Sequence, residues 1–427
     1  MNYEESIAFI HGKAGKGVKV GLENMRRLMR RLGDPQKQLR CIHVAGTNGK
    51  GSTCALIDSV LRQTGAKVGL YTSPYLMRYN ERMRIDGQPI ADDVLARLTT
   101  RIAEQVMQME ETGEGFPTVF EIGTALMFTW FAEQKVDWAV IEVGLGGRLD
   151  PTNILEPTVC AITRIGLDHT RVLGDTVEKI AAEKGGIIKD GVPVVLQSQG
   201  ESVREVIRRI CEEKHAPLLD CADFPPQNVQ LLERGVAFTA ALPHLRAREY
   251  EISLCGAHQV DNAMTALGVL SALLDGHCLP AAAIQKGLEQ AQWPGRLEWL
   301  GNVLIDGAHN PQGAQTVCDY VQHFLKDRRI VLLTGMMADK DVRSYADRIA
   351  PLADEIHCVA PEHIPRAMPA NELAALYRER TEKPVFEWEE TEQALSAAQK
   401  SAGEQGVVLI CGSLYLAGEI RRLLIAE

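Results

Sequence analysis

No two cysteines in this chain stand at C-x-x-C spacing, although ten are present, at positions 41, 54, 160, 211, 221, 255, 278, 318, 358 and 411. Such scatter argues against a zinc site or a disulfide framework and for a reduced, cytosolic protein. Long apolar runs are missing too. The longest, around Ile122 to Ala132, is too short to span a bilayer, so no membrane association is expected. The amino terminus, Met1-Asn2-Tyr3-Glu4-Glu5, is acidic and lacks the apolar core of a signal peptide. Positive charge is in deficit: 46 Lys and Arg against 56 Asp and Glu leave a formal net charge of −10. A chain this acidic is a poor partner for nucleic acid or a membrane surface, and an anionic substrate must meet a local cluster of positive groups. There is no repeat at solenoid spacing and no low-complexity tract.

What is present suits a two-domain α/β protein. The 427 residues are 45% hydrophobic and 24% charged, enough for two domains that each bury a core without a staple. Runs rich in Val and Ile predict strands at Cys41–Ala45, Lys67–Tyr71, Trp138–Val143, Thr158–Thr163 and Pro193–Leu196. Segments of helical period separate them, among them Lys50–Gln63, Ala91–Met109 and Val119–Gln134. This alternation implies a mostly parallel sheet wrapped by helices. Leu218–Leu254 reads instead as short antiparallel strands, a small side sheet, followed by helices near Gln259–Leu274 and Ala281–Gln290. After the Pro-Gly break at Trp293-Pro294-Gly295-Arg296, a second α/β series begins. Its strands are predicted at Val303–Asp306, Ile330–Thr334, Glu355–Val359 and Val407–Cys411. The expected division is residues 1–296 and 297–427.

The sharpest local signal is His43-Val44-Ala45-Gly46-Thr47-Asn48-Gly49-Lys50-Gly51-Ser52-Thr53, between a predicted strand and a predicted helix. Glycines let the backbone fold so that N–H groups can point at phosphate oxygens, and the helix N-terminus favours an anion. Lys50 can reach the outer phosphates, and a neighbouring hydroxyl can ligate magnesium. The spacing departs from G-x-x-x-x-G-K-[ST]: Gly46 and Gly49 are three apart, and Gly51 separates the lysine from Ser52. A plain Gly-rich turn is the alternative, but glycines at 49 and 51 would weaken an ordinary helix start.

Glu142 ends the run Ala139-Val140-Ile141-Glu142, where parallel sheets hold ligands. It is placed to coordinate magnesium, or else to form a strand-end salt bridge. The following Gly144-Leu145-Gly146-Gly147 implies a close backbone approach. Asp168-His169 falls beyond the next strand, which makes His169 a metal-ligand candidate against a structural role. By spacing alone, Ser73 is a turn serine and Lys184 a helix-end lysine.

These segments resemble the Mur ligase superfamily and, within it, the folylpolyglutamate synthase family. The resemblance rests on G-T-N-G-K-G-S at 46–52, Y-T-S-P-Y-L at 71–76, N-E-R at 80–82 and E-V-G-L-G-G-R-L-D-P-T-N at 142–153. It continues through L-D-H at 167–169, E-K-G-G-I-I at 183–188, H-Q-V-D-N-A at 258–263, W-P-G-R-L-E at 293–298, D-G-A-H-N-P at 306–311, A-D-K-D at 338–341 and G-S-L-Y-L-A-G at 412–418. It implies an N-terminal P-loop ATPase domain and a C-terminal Rossmann-like α/β domain. It also implies transfer of the ATP γ-phosphoryl group to a folate carboxylate, then attack by the amine of L-glutamate on the acyl phosphate.

By the same resemblance, Thr47, Asn48, Gly49, Lys50, Gly51, Ser52, Asn262, Arg296 and Asp306 would bind ATP, with Arg296 at the break between domains. Ser52, Ser73, Glu142 and His169 would serve two magnesium ions. Lys184 is the family's essential lysine, which there carries a carbamate. Arg82, Thr118, Phe120, Glu121 and Asp150 would hold the folate, and His309 and Ser413 the glutamate. Lys50, Lys184 and His309 would act in catalysis. Tyr75, Pro151 and Gly185 depart from residues frequent in the family and bear on the folate side. A monomer is expected, and dihydropteroate is a possible second acceptor. Rival readings are a peptidoglycan-type Mur ligase, for whose extra N-terminal domain the residues before Gly46 leave no room, a P-loop nucleotide switch, and a non-enzymatic binding protein.

Overall fold

The computed structural model describes residues 1–12, 21–273, 279–362 and 364–426. Cys278 and the Leu274 end of one predicted helix lie outside the described residues. The chain forms two compact units. Met1–Gln230, Val236–Ser253 and Ala257–Gln292 make the first; Leu231–Gly235, Leu254–Gly256 and Trp293–Glu427 make the second.

In the first unit, strands β1 (Cys41–Ala45), β2 (Val68–Tyr71), β3 (Met83–Ile85), β4 (Gln88–Pro89), β5 (Trp138–Glu142), β6 (Pro157–Ile162), β7 (Val194–Leu196) and β8 (Leu218–Asp220) build one sheet. Their order is β4-β3-β2-β5-β1-β6-β7-β8. β1, at its centre, is buried along all its length, as expected for a parallel strand covered on both faces. Helices Asp92–Glu111 and Val119–Glu133 pack one apolar cluster, with Tyr71, Phe128 and Phe131 inside it. A second cluster joins Ile162 and Leu196 to helices Val177–Gly185 and Glu201–Glu213. Each fully buried aliphatic or aromatic side chain contributes about 1.5–3 kcal/mol. The register pairs Val44 with Glu142 and Ala45 with Ile162, so the segments after β1, β5 and β6 leave the sheet at one edge.

The side sheet is smaller than expected. Leu218–Asp220 joins the large sheet, parallel to β7 with Val194 opposite Leu218. Only β9 (Gln227–Leu232), β10 (Gly235–Leu242) and β11 (Leu245–Ile252) form the three-stranded sheet. The hairpin β3–β4 and the amino-terminal helices Tyr3–Gly12 and Glu23–Arg31 add to the predicted elements.

The second unit holds β12 (Glu298–Leu300), β13 (Val303–Ile305), β14 (Ile330–Thr334), β15 (Glu355–Cys358), β16 (Val385–Glu387) and β17 (Val407–Cys411), ordered β12-β13-β17-β14-β15-β16. All pairings are parallel except β12 with β13. Four of the six strands match the predicted ones, and the two additions lie at the edges. Among the described residues, no helix is long and apolar enough to cross a membrane.

Candidate active site

The segment after β1 is tethered before it turns into helix Lys50–Gln63. The N–H groups of Thr47 and Asn48 both donate to the carbonyl of Arg164, at 2.9 and 3.1 Å. The Thr47 hydroxyl donates to the Gly166 carbonyl at 3.1 Å and accepts from its N–H at 3.2 Å. Thr47 is therefore used in anchoring the loop. Gly46 has φ +153° with Thr163 packed against its Cα, and Gly49 has φ +89° beneath the Asn262 amide. A side chain at either position would be strained and blocked. The first intrahelical bond runs from Thr53 N to Gly49 O, and no side chain caps the helix. The N–H groups of Lys50, Gly51 and Ser52 are thus first-turn donors, the arrangement that favours an anion.

Two lysines converge on this loop and supply a local positive cluster. Lys50 Nζ donates to the carbonyls of Gly46 (3.1 Å) and Thr47 (3.2 Å) and lies 4.0 Å from Glu142 Oε1. Lys184, buried in the last turn of helix Val177–Gly185, donates from Nζ to the same Gly46 carbonyl at 2.7 Å. Burial, and secondarily the charge of Lys50, push the Lys184 amine down to about 7.

The glycine run after Glu142 explains how Lys184 is held. A Cβ on Gly147 would lie 2.8 Å from the carbonyl oxygens of both Glu183 and Lys184. The close approach anticipated for this run is thus made to the lysine's own backbone. Arg148 N donates to Glu183 O at 2.8 Å, and Asn153 Nδ2 bridges Arg148 O (3.0 Å) and Gly186 O (2.9 Å). Gly147→Ala is expected to cost about 1–3 kcal/mol of stability by overpacking. It should also lower turnover beyond what the lost folded fraction explains, because Lys184 moves. Thermal melting beside turnover checks this; normal turnover in the folded variant would separate Lys184 from that contact.

Glu142 is buried, and its Oε2 accepts from Ser73 N at 3.0 Å. Ser52 Oγ lies in the first turn of the adjoining helix and accepts from Gln259 Nε2 at 3.4 Å. A buried carboxylate beside a hydroxyl-bearing turn suits a hard cation that takes most of its shell from phosphates and water. Among the described residues, no three or more His, Cys, Asp or Glu lie close enough to hold a metal ion by themselves. The His169 ring is largely exposed and 3.8 Å from the Asp168 carboxylate, and its backbone is left-handed at φ +48°.

The residues expected at the folate are gathered, but several have structural work. Thr118 and Glu121 form a reciprocal capping box on helix Val119–Glu133, with bonds of 2.7 and 3.2 Å. The T-x-x-E spacing carries that signal in the sequence. Phe120 packs on Gly144 and leans on Tyr71, ring centroids 6.2 Å apart. Asp150 is buried. It accepts from Leu145 N (2.9 Å), Thr152 N (3.0 Å) and Thr152 Oγ (2.5 Å). Since Thr152 Oγ spends its proton on Asp150, His43 Nε2, 2.8 Å away, must be the donor to Thr152. Burial pushes His43 down to about 3, so its ring stays neutral. His43, Thr152 and Asp150 thus form a strut under the Gly144–Gly147 loop, which the motif contained but did not reveal. Arg82 lies over the rings of Tyr75 and Tyr79, at 5.3 and 5.4 Å.

In the second unit, Asp306 follows β13 and Ser413 follows β17, at the carboxyl ends of adjacent strands, where such sheets bind ligands. Asp306 accepts from Leu297 N (2.9 Å) and Ala308 N (2.7 Å), and Arg296 Nη1 lies against Gly307. Burial pushes the Asp306 carboxyl upward, with Arg296 opposing. His309 Nδ1 donates to the Gly307 carbonyl at 2.9 Å, and Ser413 Oγ accepts from Leu416 N at 3.1 Å.

Comparison with known proteins finds two family models on the chain. Residues 44–270 match the Mur ligase middle domain, and residues 295–414 match the Mur ligase glutamate ligase domain. The chain is 38% identical to the dihydrofolate synthase/folylpolyglutamate synthase of Bacillus subtilis, over 99% of both chains. It superimposes on the Thermotoga maritima folylpolyglutamate synthase with TM-score 0.89 and 30% identity, covering 99% of this chain and 96% of that one. The Mycobacterium tuberculosis folylpolyglutamate synthase complexed with ADP gives TM-score 0.88 at 30% identity, covering 99% and 98%.

Proposed function

The chain belongs to the folylpolyglutamate synthase family of the Mur ligases, and from that premise we infer that it adds L-glutamate to folates at the expense of ATP. It is a ligase that forms a C–N bond. The observation that carries the reading is the convergence of Lys50 and Lys184 on one carbonyl of the phosphate loop, beside buried Glu142. The first domain, residues 1–296, would bind ATP, and the second, 297–427, would serve the glutamate side through His309 and Ser413.

In this reading the first-turn N–H groups and Lys50 hold the outer phosphates of ATP. Lys50 neutralises charge on the transferring phosphoryl group, and the folate carboxylate receives it. The α-amine of glutamate then attacks the acyl phosphate, and phosphate leaves as the amide forms. Asn262, Arg296 and Asp306 would contact the nucleotide. Glu142, Ser52 and Ser73 would hold magnesium, which when bound neutralises phosphate charge. Arg82, Phe120 and the loop braced by Asp150 would receive the folate. None of the nine described cysteines forms a disulfide, and all are buried, which favours a reducing cytosol.

Glu142→Gln is expected to raise the magnesium concentration needed for half-maximal activity, since it removes a charge from a hard cation's shell. His169→Ala, titrated beside it, decides whether the exposed ring belongs to that shell; an unchanged curve removes it. The function itself is tested with a substrate panel of tetrahydrofolate, dihydropteroate and a cell-wall muropeptide, each with ATP and glutamate. Glutamate-dependent phosphate release is expected with the reduced folate. Release confined to the muropeptide would overturn the reading, and release with dihydropteroate as well would add a second acceptor.

A further inference from the structure

Four buried polar side chains in the first unit form one hydrogen-bonded line that ends on the phosphate loop. Gln197 follows β7, and its backbone N–H is fixed to Ile162 O at 2.9 Å. Gln197 Nε2 donates to Asn262 Oδ1 at 3.2 Å. Asn262 Nδ2 donates to Gln259 Oε1 at 2.8 Å. Gln259 Nε2 donates to Ser52 Oγ at 3.4 Å. Gln259 and Asn262 stand three apart on helix His258–Leu273 and so share a face. Gln259 is fully buried, and Gln197, Asn262 and Ser52 are nearly so.

Each carboxamide has a donor end and an acceptor end, so the line has a direction. In the direction observed, Gln197 Oε1 is the atom without a partner among the described residues. Reversing all three amides would leave the two-proton Gln197 NH2 buried and unpaired instead. An under-satisfied carbonyl is tolerated more readily than an orphaned N–H, so the observed direction is favoured. Its consequence falls on Ser52. The hydroxyl receives a proton from Gln259 on one lone pair, which leaves its other lone pair and its own proton for partners on the loop side.

We propose that Gln259 and Gln197 are positioning residues for nucleotide binding: the amide line orients the Ser52 hydroxyl so that one lone pair faces the cation and the proton faces a phosphate oxygen. This rests on the reading of Ser52 as a magnesium-contacting residue. Gln259 acts on the nucleotide only through Ser52, and Gln197 only through Asn262 and Gln259. Asn262 has a second duty in the same line, since its amide also packs directly on the left-handed Gly49.

The test is ADP affinity measured by calorimetry on the full chain, with magnesium and with chelator, for Gln259→Leu, Gln197→Leu, Ser52→Ala and the double variant of Gln259→Leu with Ser52→Ala. Thermal melting establishes that each is folded. Gln259→Leu should weaken magnesium-dependent ADP binding about tenfold or more, the usual effect of losing a ligand's hydrogen-bond partner. Chelator affinity should be unchanged, and the Ser52→Ala background should show no further loss. Gln197→Leu should move affinity the same way by less. Gln259→Glu keeps the size and the bond from Asn262 but can only accept from Ser52, so it should also impair magnesium-dependent binding; it serves if the leucine variant does not fold. Equal losses with and without magnesium, or a full loss in the Ser52→Ala background, would overturn the proposal. If Ser52→Ala itself leaves the magnesium dependence intact, the metal role of Ser52 falls. If Ser52→Ala impairs it and neither Gln259 variant does, only the amide line falls.

Discussion

Lys50→Ala is expected to lower turnover by about two to three orders of magnitude, the scale seen when one preorganised stabiliser of a charged transition state is removed. The fold should survive. Lys50 donates to two loop carbonyls, and each such bond contributes only about 1 kcal/mol net. Thr47, held by the stretch Arg164–Gly166, keeps the loop tethered without it. Circular dichroism and melting should therefore change little while turnover collapses, with the loss in kcat as well as kcat/KM. Near-normal turnover would mean that Lys50 only pins the loop.

Lys184→Ala should abolish most activity too, and the manner of its rescue distinguishes two states of the side chain. Carbon dioxide is captured by a neutral amine. An unperturbed lysine, with a pKa of about 10.4, is neutral in only about one molecule in a few thousand at pH 7. Burial beside Lys50 brings Lys184 down to about 7, so its neutral amine is far more abundant there than in an unperturbed lysine. The neutral fraction rises as pH climbs through 7, and carbamate formation in bicarbonate should rise with it. A carbamate would keep one N–H on Nζ, so the modified side chain would still have a donor for the Gly46 carbonyl that Lys184 now meets at 2.7 Å. The expected result is partial rescue of Lys184→Ala by acetate or formate. Rescue by a small amine alone would mean that the positive charge is what the site requires.

Much of the site was legible because parallel sheets announce their edges. The strands Cys41–Ala45 and Trp138–Glu142 are apolar apart from His43 and the terminal Glu142, and the residues next in the chain fall at the carboxyl edge. That placed Lys50, Glu142 and the Gly144–Gly147 loop correctly relative to the sheet. Leu218–Asp220 defies such a reading because three residues carry too little periodicity to tell a parallel edge strand from a hairpin strand. Thr118 and Glu121 carry a helix-cap signal that the family resemblance overshadows. That Asp150 also braces its own loop, accepting from Leu145 and Thr152, is not visible in a sequence. Gln197 and Gln259 are silent in the sequence for a different reason. A neutral amide carries no charge, titrates nowhere and acquires a role only when its neighbours in space are known.

The most direct measurement is the mass of the folate product after tetrahydrofolate is incubated with ATP, magnesium and L-glutamate, with phosphate release followed in the same sample. The account predicts a product heavier by one or more glutamyl residues, with one phosphate released per residue added. Phosphate release without any gain in folate mass, or a gain in mass without ATP cleavage, would contradict it.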